Sequence, residues 1–104
     1  MTLPDIAVLL SKKGFNQQLT WGDNVYLTSQ KDYLRFVGQP IRDEYVLVPS
    51  LATLINKLSD LNYSLHHIIT DGSEKWSVLY AEEIIEDENI WVVLSKLWIL
   101  TKGI

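Results

Sequence analysis

A helix that is apolar on two sides is the tightest constraint in this chain. From 88 to 102 the sequence reads E-N-I-W-V-V-L-S-K-L-W-I-L-T-K and holds two of the four tryptophans. Wound at about 100° per residue, Ile90, Trp91, Val93, Leu94, Leu97, Trp98 and Leu100 share one half of the cylinder. Asn89, Ser95, Lys96 and Lys102 share the other half. Val92 and Ile99 project from that polar side, one heptad apart, with the small Ser95 between them. A helix with a second apolar stripe is either buried on both sides or meets a partner.

Two more helices and a hairpin carry clear signals. Thr2 can cap a first helix over 3–13, with Asp5 as the acidic member of a capping box and Pro4 tolerated in the first turn. Leu3, Ile6, Ala7 and Leu10 form its apolar stripe, and Gly14-Phe15 is a stop signal. Ser50 can cap a second helix through about 61, whose core arc is Leu51, Leu54, Ile55, Leu58 and Leu61. Residues 63–70 and 75–81 flank Asp71-Gly72-Ser73-Glu74, where either the favoured turn pair Asp71-Gly72 or all four residues form the loop of a hairpin. In either possible register one face carries Tyr63, Leu65, His67, Ile69, Trp76, Val78 and Tyr80, which reads as the core face. Between 16 and 44 the pattern is weakest. Turns at Trp21-Gly22-Asp23-Asn24 and Gly38-Gln39-Pro40 punctuate short strands at 25–27 and 33–37, and 45–48 is a further strand or an extended approach to Pro49. This order predicts one α+β domain over 1–104, a mostly antiparallel sheet of three to five strands with about three helices against it.

Composition narrows the function classes. Apolar residues make up 47% and charged residues 21%, as in a folded domain. A net charge of −4, with nine basic residues spread thinly, weighs against non-specific binding to nucleic acid. The absence of cysteine removes disulfides, thiolate chemistry and cysteine metal cages, and fits a reducing cytoplasm. No secretory signal is expected at the N-terminus, and the apolar runs at 90–94 and 97–100 are too short to span a bilayer.

Candidate chemical sites are few. His66 and His67 are adjacent, so on a strand they point to opposite faces and cannot share a metal ion. Glu82, Glu83, Glu86, Asp87 and Glu88 lack the alternating ligands and turn glycine of a calcium loop, and acidic residues ahead of a helix favour its positive end. There is no nucleophile elbow and no glycine-rich phosphate loop. The sequence therefore gives no reason to expect a catalytic residue, a metal, a cofactor or a small-molecule ligand. Lys31, Tyr33, Arg35 and Phe36 interleave aromatic and basic groups and are the best candidate nucleic-acid contact. Val92, Ser95 and Ile99 are the candidate protein interface, with a second copy of the chain as the simplest partner.

The layout resembles that of small proteins from phages and integrated elements of bacteria. The residues that carry the likeness are the helix stop Leu9-Leu10-Ser11-Lys12-Lys13-Gly14-Phe15 and the proline-led helix from Pro49 to Leu58. The tryptophan hairpin at Trp76 and the Leu97-Trp98 pair complete it. Glu86-Asp87-Glu88 stands where that layout carries a threonine or proline cap. The resemblance implies a mobile-element origin and an accessory role, with no activity or site residues to carry over. The leading expectation is a cytoplasmic protein-interaction module, with no membrane contact. The alternatives are a nucleic-acid accessory protein and a small enzyme or ligand binder with a pocket near His66 and His67.

Overall fold

The computed structural model describes residues 2–103. The protein is α+β, and its described strands form two antiparallel three-stranded sheets rather than one. The chain divides into two units, Met1–Ser50 and Leu51–Ile104, each with one sheet.

In the first unit, helix α1 (Leu3–Lys12) starts and stops as its sequence requires. The Asp5 amide donates to Thr2 Oγ1 at 3.4 Å, and the Thr2 amide donates to Asp5 Oδ2 at 3.0 Å. This reciprocal pair satisfies donors that a helix start leaves free. At the other end Gly14 adopts φ +94°, and the Phe15 amide donates back to the Leu10 carbonyl at 2.9 Å. A positive φ there is cheap only for glycine, and the return folds Phe15 into a buried position.

Strands β1 (Asn24–Leu27), β2 (Asp32–Arg35) and β3 (Tyr45–Val48) form a sheet in the order β2-β1-β3. The central strand β1 buries Val25, Tyr26 and Leu27, and α1 packs on β3 with Ile6, Ala7 and Leu10 fully enclosed. Burial of each valine, leucine or isoleucine among them contributes about 1.5–3 kcal/mol. Gln17 organises the stretch whose sequence pattern is weakest. Its Nε2 donates to the Phe15 carbonyl at 3.0 Å, and its Oε1 accepts from the Leu47 amide at 2.9 Å.

In the second unit, α2 (Leu51–Lys57) is shorter than its apolar periodicity suggests. Leu54 and Leu58 are fully buried, but Ile55 is 43% exposed, outside the core arc expected of it. Strands β4 (Ser64–Thr70), β5 (Ser73–Tyr80) and β6 (Glu83–Asp87) follow in the spatial order β4-β5-β6. Asp71-Gly72 forms a two-residue loop with φ of 27° and 82°, so Thr70 pairs with Ser73 and Ile69 with Glu74. Positive φ at both loop residues matches the right-handed twist of the strands they join.

Residues 82–88 read as an acidic approach to the last helix, yet Glu83–Asp87 form strand β6. Its apolar content, Ile84-Ile85, is only two residues long, and its turn lacks glycine and asparagine. That turn is Ala81-Glu82, at φ 47° and 73°, with Tyr80 opposite Glu83.

Helix α3 (Ile90–Lys102) is capped by Asn89, whose Oδ1 accepts from the Trp91 amide at 2.9 Å. It packs on α2, β5 and β6. Val93, Leu94 and Leu97 are fully buried, while Leu100 is 45% exposed. The second stripe is also enclosed. Val92 is buried, Ser95 has no exposed surface, and Ile99 is half-buried. Of the two explanations for a helix apolar on both sides, burial on both sides holds at Val92 and Ser95. A lone serine among aliphatics reads as polar surface on a helical wheel, yet its small volume suits a tight contact equally well.

Candidate interaction surface

The exposure that an interface at Val92, Ser95 and Ile99 requires is missing at its first two residues. Ser95 Oγ is buried without a hydrogen-bond partner, a cost of about 1–3 kcal/mol when nothing replaces water. The candidate nucleic-acid segment is also incomplete as a stacking platform. Lys31 sits in the β1–β2 turn at φ 52°, and Tyr33 and Arg35 are exposed on β2. Tyr33 leans on Tyr26 with ring centroids 5.1 Å apart, and burial pushes its hydroxyl above the ordinary value, with Tyr26 adding to the shift. Phe36 is buried, so its ring cannot receive a base.

The histidines lie on β4 and point to opposite faces, as adjacent strand residues must. His66 stands opposite Ser77, and His67 stands opposite Trp76. The His67 ring is stacked on the Trp76 indole, with centroids 4.2 Å apart and planes 11° apart, and its Nε2 lies 3.2 Å from Glu74 Oε2. Both histidines are exposed. Among the described residues, no group of three or more His, Asp or Glu side chains is placed to hold a metal ion. No helix among them is long and apolar enough to cross a membrane.

The β4–β5 hairpin is where expectation and structure differ most usefully. The face of Leu65, His67, Ile69, Trp76 and Val78 is enclosed at Val78 and open along β4. Val78 is fully buried, whereas Leu65 is 37% and Ile69 69% exposed. Helix α3 packs on β5 and β6, so cover falls away toward β4, and β6 itself pairs with β5 only from Trp76 to Tyr80. Beyond Trp76 the hairpin runs on as a two-stranded ribbon. On its other face the cross-strand pair Leu79 and Ile84 is also exposed.

Each sheet has two outer strands, and three of the four edges are guarded. On β3 the Leu47 amide is occupied by Gln17. On β2, four residues long, Asp32 and Arg35 carry charge, and Gln39 Nε2 donates to the Arg35 carbonyl at 3.2 Å. On β6 the acidic residues Glu83, Glu86 and Asp87 occupy three of five positions. Strand β4 has none of these devices. Its seven residues, Ser-Leu-His-His-Ile-Ile-Thr, include no Lys, Arg, Asp, Glu, Pro or Gly. Native edges normally carry such guards because an open ladder pairs with other chains.

The two-residue loop sets which backbone groups are open. The pair closing such a loop, Thr70 with Ser73, is hydrogen bonded, and bonded pairs then alternate along the ladder. Ser64, His66, Ile68 and Thr70 therefore bond to β5. Leu65, His67 and Ile69 direct their N–H and C=O groups away from it. No sequence pattern flagged this edge, because edge status follows from strand order rather than from β4 itself.

No protein-family model, curated protein or solved structure matches this chain.

Proposed function

We propose that this protein is a protein-interaction module that receives an extended protein segment along β4. The observation that carries the reading is the contrast between β4 and the other three edges. An unguarded edge of seven residues offers main-chain hydrogen bonds for affinity and alternate side chains for selectivity. Leu65 and Ile69 supply exposed apolar surface on one face of that edge, and the His67–Trp76 stack lies between them. The accessory role in a phage or integrated element implied by the layout resemblance is a natural setting for such a module.

Selection from a displayed library of random unstructured peptides, followed by amide exchange on the selected complex, tests the reading. Bound peptides should slow exchange at the amides of Leu65, His67 and Ile69. A selection that yields no binder, or binders that leave those amides unaffected while protecting another surface, would remove β4 as the docking edge.

A further inference from the structure

We infer that the segment received along β4 is β4 of a second copy of the chain, paired antiparallel about a two-fold axis at His67. This rests on the reading of β4 as the docking edge and names its occupant.

The strand is chemically self-complementary when reversed. Pairing about His67 sets Ser64 against Thr70, Leu65 against Ile69, His66 against Ile68 and His67 against its own copy. Each polar end meets a polar end, and each exposed aliphatic meets an aliphatic. The hydrogen bonds close as well. The outward groups belong to Leu65, His67 and Ile69, and in this register Leu65 faces Ile69 while His67 faces His67. Every outward N–H and C=O then has a partner, and none is left over. Moving the axis along the strand by one residue leaves part of this set unpaired.

Charge selects the same edge. The chain carries −4, and pairing two copies through β6 would bring Glu83, Glu86 and Asp87 against their own kind. β4 carries no acidic or permanently cationic side chain, so two copies meet there without that repulsion. On one face the row Trp76–His67 continues into His67–Trp76 of the second copy, and Leu65 and Ile69 flank it. A two-fold contact uses each of these pairings twice. Because a seven-residue edge is small beside the roughly 1,200–2,000 Å² of stable interfaces, the dimer should be reversible, with a Kd on the order of micromolar or weaker.

The experiment is the mass in solution from about 1 μM to 1 mM, with amide exchange recorded at both ends of that range. The expected result is a monomer–dimer equilibrium in which concentration slows exchange at Leu65, His67 and Ile69. Ile69→Lys should raise the dissociation constant at least tenfold, because a charge then faces Leu65 twice per dimer. Ile84→Lys, on the opposite sheet face, should leave it unchanged. Ile69 is so exposed that the lysine variant should fold, and the wild-type exchange data decide the question if it does not. A monomer throughout, or a dimer that protects a different surface, overturns the proposal. A monomer whose β4 amides are protected by a selected foreign peptide overturns only the second copy as occupant. A monomer that no peptide protects there removes the docking edge too.

Discussion

The imidazole of His67 lies flat on the indole of Trp76, with centroids 4.2 Å apart and planes 11° apart, across the β4–β5 hairpin. The two are direct cross-strand neighbours at the point where β6 ends, Trp76 pairing with its last residue, Asp87. There the ladder has few buried neighbours, so such a pair carries an unusual share of the local order. His67→Ala should cost about 0.5–1.5 kcal/mol of stability, while His67→Phe should keep most of it. Urea unfolding of dilute samples, followed by far-UV circular dichroism, measures both.

Enclosure of α3 on both sides leads to opposite outcomes at Val92 and Ser95. Val92→Glu would bury an unpaired charge and should destabilise by about 3–5 kcal/mol. Ser95→Ala removes a buried hydroxyl that lacks a partner and should raise stability by about 1 kcal/mol. Denaturant midpoints of the two variants test this. A neutral Val92→Glu would mean that the residue faces water after all.

The turn into β6 stores removable strain. Ala81 and Glu82 hold φ of 47° and 73°, where residues with a Cβ are disfavoured. The double change Ala81→Asn and Glu82→Gly installs a preferred pair for this geometry and should add about 1 kcal/mol. Thermal unfolding gives the sign directly.

Acidification should weaken the second unit through Asp60. Lys102 Nζ lies 2.6 Å from Asp60 Oδ1 and 2.8 Å from Oδ2, and this hydrogen bond holds the carboxyl below its ordinary value of 3.8. With the folded pKa lower than the unfolded one, the unfolded chain binds more protons as pH falls. The contribution is therefore full above the ordinary carboxylate range and is lost as pH drops through the folded pKa. The difference in melting temperature between wild type and Asp60→Asn should shrink from pH 6 to pH 3. Asp60 is largely solvated and Lys102 partly so, and high salt should shrink it too.

Much of the fold is written locally. Thr2, Asp5, Gly14 and Phe15 bound α1 by capping chemistry that needs no tertiary context, and Asp71-Gly72 sets the hairpin register in the same way. What depends on tertiary placement is less legible. Ala81-Glu82 turns without a turn residue because β5 and α3 support β6 on either side of it. Ser95 looks like helix surface and is buried, while Ile69 looks like core and is exposed, because a side chain's alternation says which face it occupies and not whether that face is covered. The β4 edge is the extreme case. Its composition is that of any strand, and only the order β4-β5-β6 makes it an edge.

Amide exchange along β4 in dilute solution tests that edge most directly. The amides of His66, Ile68 and Thr70 should exchange slowly, because they bond to β5. Those of Leu65, His67 and Ile69 should exchange fast, giving a two-residue alternation. Uniform protection at every dilution would show an edge already covered, and uniform fast exchange would show no strand. Either result would contradict the account.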